Sequence, residues 1–184
     1  GLFTPIRVGS LELPNRIIMS PAFTNSALPD GQVSDQTIRH YVARARSGVG
    51  LVMTEHTSVN SYFIHGGLRL RVSEDKFIPR LALLAGEVHK AGGKIGLQIA
   101  HSIYGAGMRP EDLTHEQCEQ IVVDFVQGAR RAKEAGFDVV ELHCAHTYTL
   151  ADFLSRRTNK RWDDFGGDVY GRFRIVRDIC LGIR

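Results

Sequence analysis

Val139-Val140-Glu141-Leu142-His143-Cys144-Ala145-His146-Thr147-Tyr148 is the stretch that decides how this chain is read. Its first four residues are a short apolar run, too short for a helix and β-branched at the start, which predicts a buried strand. Two histidines and a tyrosine follow at its carboxyl end, in the pattern His-x-x-His-x-Tyr. The carboxyl ends of parallel strands are where chemistry collects in α/β sheets and barrels. A neutral imidazole can donate to a carbonyl oxygen, and a phenol can hand on a proton. His143, His146 and Tyr148 therefore suit a reaction that polarises a carbonyl and protonates the neighbouring atom. Zinc competes for two histidines three apart, but no third ligand stands at a convincing spacing. Either histidine alone would be read as structural; with the tyrosine beside them, a site is the better reading.

Working upstream, Thr114-His115-Glu116-Gln117 matches a capping box and opens the longest helix. Ile121, Val122, Phe125, Val126 and Ala129 keep its 3.6 period, and Gly136 sits where a terminating glycine belongs. A strand is predicted over 94–99. Before it comes a helix over 75–91, with Leu81, Leu84, Ala85 and Val88 on one face and Gly92-Gly93 closing it. A buried strand over 50–54 follows a helix that Ser34 caps and Gly48 stops, with Ile38, Tyr41, Val42 and Ala45 at helical spacing. The first buried strand is expected over 16–19, and 5–8 with Leu11–Leu13 flank Gly9-Ser10 as a small hairpin. Residues 55–72 have no clean period and read as a long loop, functional or mobile. Downstream, a short helix near 150–154, a polar loop and a helix over 170–183 complete the chain. The order is strand-helix four times over. That calls for right-handed crossovers and a parallel sheet covered by helices, half of an eight-stranded barrel.

The chain has 184 residues, enough for one domain with a sizeable core. Its hydrophobic share of 43%, charged share of 23% and net charge of +3 are those of an ordinary globule. No basic block is interleaved with aromatics. Arg69 with Arg71, Arg130 with Arg131, and Arg156 with Arg157 read as solvated faces or anion contacts, which argues against nucleic acid. Cys118, Cys144 and Cys180 form neither a CxxC nor a disulfide framework, so a reducing, cytoplasmic setting is expected. Neither a signal peptide nor an apolar run near 18 residues is present, and no membrane role is expected.

Several spaced motifs then carry a resemblance to the old yellow enzyme family. These are FMN-dependent ene-reductases, with dienoyl-CoA reductase and trimethylamine dehydrogenase relatives. Leu2-Phe3-Thr4-Pro5-Ile6 and Leu13-Pro14-Asn15-Arg16-Ile17 resemble its amino-terminal lid and first strand, and Met19-Ser20-Pro21-Ala22 its first flavin-contacting turn. Gln98-Ile99-Ala100-His101 resembles its Gln-Leu-x-His. His143 to Tyr148, with Phe153-Leu154-Ser155, Asn159-Lys160-Arg161, Asp163 and Gly166-Gly167, is the most specific match. The resemblance implies that residues 1–184 are the amino-terminal part of one FMN-binding (β/α)8 barrel of the TIM type. It implies a hydride passed from NADH or NADPH through flavin to an activated alkene: an enone, enoate or enoyl thioester. Pro21, Ala22, Phe23 and His56 would lie against the flavin, with Phe23 and His56 equally open to a packing role. Gln98 would pair with the pyrimidine edge. His143 and His146 would bind the substrate oxygen, and Tyr148 would protonate the α-carbon. Glu55 is expected to serve structural hydrogen bonds, Asn159, Arg161 and Asp163 to brace their loop, and Tyr62, Phe63 and Tyr104 are candidates to line a pocket.

Departures accompany the matches. Arg156 stands where the family has proline, making a more basic rim that suits an acidic substrate or a CoA thioester. Only Ser102 to Arg109 stand where the family carries a few tens of loop residues, a shortened loop or a lost one. The resemblance places the arginine near flavin N1, the phosphate turns and any iron–sulfur cluster on segments beyond Arg184. A half-barrel would also leave two strand edges open, so a homo-oligomer or a carboxyl-terminal half of the barrel is the expected partner. Two other readings stay open: a half-barrel scaffold without flavin, and a cofactor-free barrel lyase or isomerase using His143 and Tyr148 for proton transfer.

Overall fold

The structure is a computed structural model describing residues 1–61, 67–102 and 107–184. The chain opens with the antiparallel hairpin β1 (Ile6–Val8) and β2 (Leu11–Leu13), turning at Gly9 as expected. Then come β3 (Ile18–Met19), α1 (Asp35–Ala45), β4 (Leu51–Met53), β5 (Thr57–Ser58), α2 (Ile78–Lys90), β6 (Ile95–Ala100), α3 (His115–Glu134), β7 (Val139–Leu142), α4 (Thr149–Leu154) and α5 (Val169–Ile183). β3, β4, β6 and β7 lie side by side, all parallel. The architecture is α/β, four strand-helix units in the order the periodicity predicts.

The caps explain the boundaries. Ser34 Oγ accepts from Thr37 N at the start of α1, and Thr114 and Gln117 exchange both bonds of a capping box on α3. Residues 75–77 form a 3₁₀ turn before α2, so that helix begins three residues later than predicted, with Pro79 in its first turn.

Two layers pack on the sheet. Helices α1 to α3 bury Tyr41, Leu81, Leu84, Val88, Ile121 and Phe125 against Val52, Ile95, Leu97 and Ile99. Each such aromatic removes some 150–250 Å² from water, the largest single contributions to the core. On the other side the hairpin closes the amino ends of the strands, setting Leu13 against Leu51 and Met53.

Three features differ from the expectation. Residues 55–72 are not all loop, because β5 pairs with β6 and Ser58 bridges Arg71. From Val52 to Thr57 five residues advance while the partner advances four, Ile95 to Ile99, so one extra residue bulges out around Thr54–His56. Neither β3 nor β7 is fully buried: Ile18 is exposed and all four β7 residues are half-buried, since each strand pairs on one side only. An apolar groove of about 630 Å³ runs beside β7, with Val126, Phe137, Val140 and Ile183 among its walls. Among the described residues no helix is long and apolar enough to cross a membrane.

Candidate active site

The carboxyl ends of β3, β4, β6 and β7 surround a cavity of about 710 Å³, into which Pro21, Phe23, His56, Gln98, His143, His146 and Tyr148 all project. Ala22, expected beside Pro21, is exposed and does not line it. Tyr62, Phe63 and Tyr104, with residues 103–106 of the shortened loop, lie outside the described residues.

Floor and wall follow from strand register. Gln98 and Glu141 are directly opposite on β6 and β7, and Gln98 Nε2 donates to Glu141 Oε1 at 2.5 Å. This fixes the amide so that its carbonyl and second N–H remain for a ligand. His143 follows the last paired residue of β7, its N–H bonded to Ile99 O at 3.0 Å. Burial lowers the pKa of His143 and the neighbouring His146 lowers it further, which favours the neutral imidazole. Next the backbone turns through two left-handed residues, His146 at φ 55° and Thr147 at φ 57°. A β-branched residue there is strained, and strain of this kind collects at functional sites.

Tyr148 heads α4 without capping it, and its side chain turns into the cavity. What fixes that helix is His101, fully buried at the end of β6. Thr149 donates its N–H and its hydroxyl to His101 O (3.2 and 2.7 Å), and its hydroxyl also meets His101 Nδ1 at 2.9 Å. Asn60 reaches His101 Nε2 from β5 at 3.1 Å. The ends of β5 and β6 are thus tied to the residue after Tyr148.

The rings form one cluster: His143 lies 4.5 Å from Tyr148 and 5.3 Å from His146, and His56 lies 5.3 Å from Tyr148 and 6.0 Å from His143. Phe23 stands 5.7 Å from His56. Arg69, taken from the sequence as a solvated or anion-contacting charge, also enters: its guanidinium lies over Phe23 at 4.3 Å, meets the His56 ring and donates to Tyr148 Oη at 3.4 Å. Burial raises the Tyr148 pKa, and Arg69 pulls it back down. The signal for Arg69 was present in Leu68-Arg69-Leu70-Arg71-Val72, where strand-like alternation with Leu70 and Val72 fully buried turns Arg69 the other way.

The supporting residues behave as expected. Glu55 Oε2 accepts from Thr24 N at 2.5 Å and Thr24 Oγ1 at 2.8 Å. Asn159 Nδ2 donates to Phe153 O and Phe165 O, and Arg161 donates to Pro110 O and Leu113 O and pairs with Asp163. These last three brace the loop before α5, away from the cavity. Among the described residues no three His, Cys, Asp or Glu side chains gather as metal ligands.

The sequence profile of the NADH:flavin oxidoreductase / NADH oxidase family matches residues 1–108 and 105–183. An NADPH dehydrogenase of Listeria monocytogenes is 37% identical over 201 residues, covering 100% of this chain and 60% of the relative. An NADH oxidase of Thermoanaerobacter brockii is 38% identical over 208 residues, covering 100% of this chain and 32% of the relative. The solved Old Yellow Enzyme of a Pichia species superposes with a TM-score of 0.88 at 28% identity, over 99% of this chain and 55% of that one. The chain therefore spans 60% or less of the length of these similar proteins.

Proposed function

The chain belongs to the NADH:flavin oxidoreductase / NADH oxidase family, with the old yellow enzyme barrel as its fold, and from that premise we propose what its cavity does. Residues 1–184 are the amino-terminal part of one FMN-binding barrel, and the whole protein reduces an activated carbon–carbon double bond in a small molecule with NADH or NADPH. The observation that carries this reading is the convergence of His143, His146 and Tyr148 over a floor made by Gln98. A reducing, cytoplasmic setting goes with three free cysteines, Cys118, Cys144 and Cys180. The groove beside β7 is the face that the remaining barrel units, or a second copy of the chain, would cover.

The residues present fit FMN. A cavity of about 710 Å³ is of cofactor size, and the Gln98 amide offers the donor and acceptor that a pyrimidine edge needs. Pro21, Phe23 and His56 would flank the ring, with the Ala22 backbone beside them. When bound, FMN supplies the redox chemistry, taking hydride from the nicotinamide and returning it to the alkene β-carbon.

The chain's own side chains do the rest. His143 and His146 donate N–H groups to the substrate oxygen, drawing electron density from the β-carbon. Tyr148, fixed by the Thr149–His101 bonds, gives its proton to the α-carbon and recovers it from solvent.

The test is ligand binding to the FMN-loaded full-length protein, followed by the flavin absorption shift that a phenol produces on stacking. Changing His143 and His146 together to Ala should leave flavin bound and abolish the shift. An unchanged shift would remove both histidines from the site.

A further inference from the structure

Arg69 is held in the cavity by more than its own contacts. The backbone on either side is anchored: Leu68 N donates to Asn25 Oδ1 at 2.8 Å, and Leu70 O accepts from Ser58 N at 2.9 Å. Gly67, at φ 107°, passes so close to the Phe23 ring that a Cβ there would lie 2.8 Å from Cζ. Leu70 is fully buried on the core side, so the backbone at Arg69 is fixed with its side chain toward the pocket. Its planar face is stacked on Phe23, and its N–H edge is turned to Tyr148, on the same side as His143 and His146. A guanidinium has five N–H groups in a flat fork, a geometry matched to a carboxylate.

We propose that Arg69 is a specificity-determining residue of this site: it binds a carboxylate on the substrate, making an α,β-unsaturated carboxylate the preferred alkene over a neutral enone or ester. The inference rests on the alkene-reductase reading above. A carboxylate is a poor activator of its alkene, because it already carries the negative charge that hydride addition would push onto it. Attack at the β-carbon forms a C–H bond and drives the π electrons toward the carboxylate, doubling its charge. A cation against one oxygen and imidazole N–H groups against the other offset that charge. Tyr148 then breaks its O–H bond to form the α-carbon C–H bond. The product is the saturated acid, and the reductant consumed is the flavin hydride supplied by the nicotinamide. A neutral ester gains none of this from Arg69. The same guanidinium offsets the rise that burial imposes on the Tyr148 pKa, favouring proton donation.

The experiment measures, by calorimetry on the FMN-loaded full-length protein, the binding of cinnamate and of methyl cinnamate. The wild type should bind the acid more tightly than the ester. Arg69→Gln should weaken the acid about 10- to 100-fold, the loss of one charge-assisted pair, while moving the ester less than about 2-fold. Arg69→Lys, which keeps the charge without the fork, should fall between. As an independent readout, the pH at which Tyr148 ionises, followed by tyrosinate absorbance against a Tyr148→Phe control, should rise in Arg69→Gln. Equal losses for acid and ester, or a wild type that favours the ester, would overturn the proposal; the wild-type ratio needs no variant to fold. If the His143 and His146 double variant abolishes ester binding while Arg69→Gln spares both ligands, the reductase reading stands and the role of Arg69 falls. If neither change affects either ligand, both fall.

Discussion

At the amino ends of the strands Asp138 sits just before β7, its carboxylate bonded to Ile95 N at 2.9 Å, His89 at 2.8 Å and Lys94 at 3.2 Å. At the carboxyl ends Glu55 sits just past β4, fully buried, with Thr24 on one oxygen and no hydrogen bond of good geometry to the other among the described residues. Burial opposes ionisation at both, yet their acidities move in opposite directions. At Asp138 the Ile95 N–H, His89 and Lys94 overcome burial and the pKa is lowered. At Glu55 burial outweighs Thr24, the Leu70 N–H and the charge of Arg69 together, and the pKa is raised. One end of the sheet bonds both oxygens of its carboxylate, and the other holds its carboxylate less completely, beside strained backbone and unspent donor capacity. That is the division expected when one end serves stability and the other chemistry.

The comparison breaks most sharply at Tyr148. Tyr148→Phe should slow alkene reduction about 100- to 10,000-fold while reduction of bound flavin by the nicotinamide is untouched, as stopped-flow measurement of the two half-reactions would report. Equal losses in both would remove Tyr148 as the proton donor.

The two carboxylates sharpen it next. Asp138 has a lowered pKa, so its stabilisation is present above the unfolded value of 3.8 and is lost as pH falls through the folded one. Asp138→Asn should destabilise by about 1–3 kcal/mol at pH 7 and by progressively less in acid. Glu55 has a raised pKa, so its stabilisation is present below 4.5 and is lost as pH rises. Glu55→Gln should therefore gain on the wild type as pH climbs above 4.5. Denaturant midpoints across pH read both slopes; two slopes of the same sign would dissolve the distinction between the ends.

The smallest effect expected is at Thr147. Relieving its left-handed strain with Thr147→Gly should stabilise the fold by about 1 kcal/mol or less, because glycine's added freedom when unfolded takes back part of the gain. A loss of stability in chemical denaturation would mean that the turn is not strained.

Features set by neighbours in sequence were easy to read, and those set by long-range contacts were not. Ser34, Thr114 and Gly136 announce helix limits through bonds to residues a few positions away, so a linear pattern reveals them. His143, His146 and Tyr148 were legible because they lie within six residues of one another at a strand end. Arg69 was passed over although Leu70 and Val72 alternate with it, because which face of that alternation meets the core is decided by Ser58 bonding Leu70, a contact made only on folding. Glu141 gave no sign of pairing with Gln98, since the register of β6 against β7 joins residues 43 apart. The strain at Thr147 comes from the requirement to aim a histidine and a tyrosine into one cavity, which no local propensity expresses.

The extra residue between β4 and β5 sets a reading frame for everything after it. Alternation assigns each following side chain to one face or the other, and five residues against four shift that assignment by one. Had the ladder run evenly through this segment, His56 would stand opposite Ile99, and Thr57, Ser58 and Val59 would be turned inside out. Substitutions here are felt one position at a time, whereas loss of the bulge without loss of a residue would be felt by every residue up to the next anchor. The segment can therefore drift in composition so long as the bulge is kept.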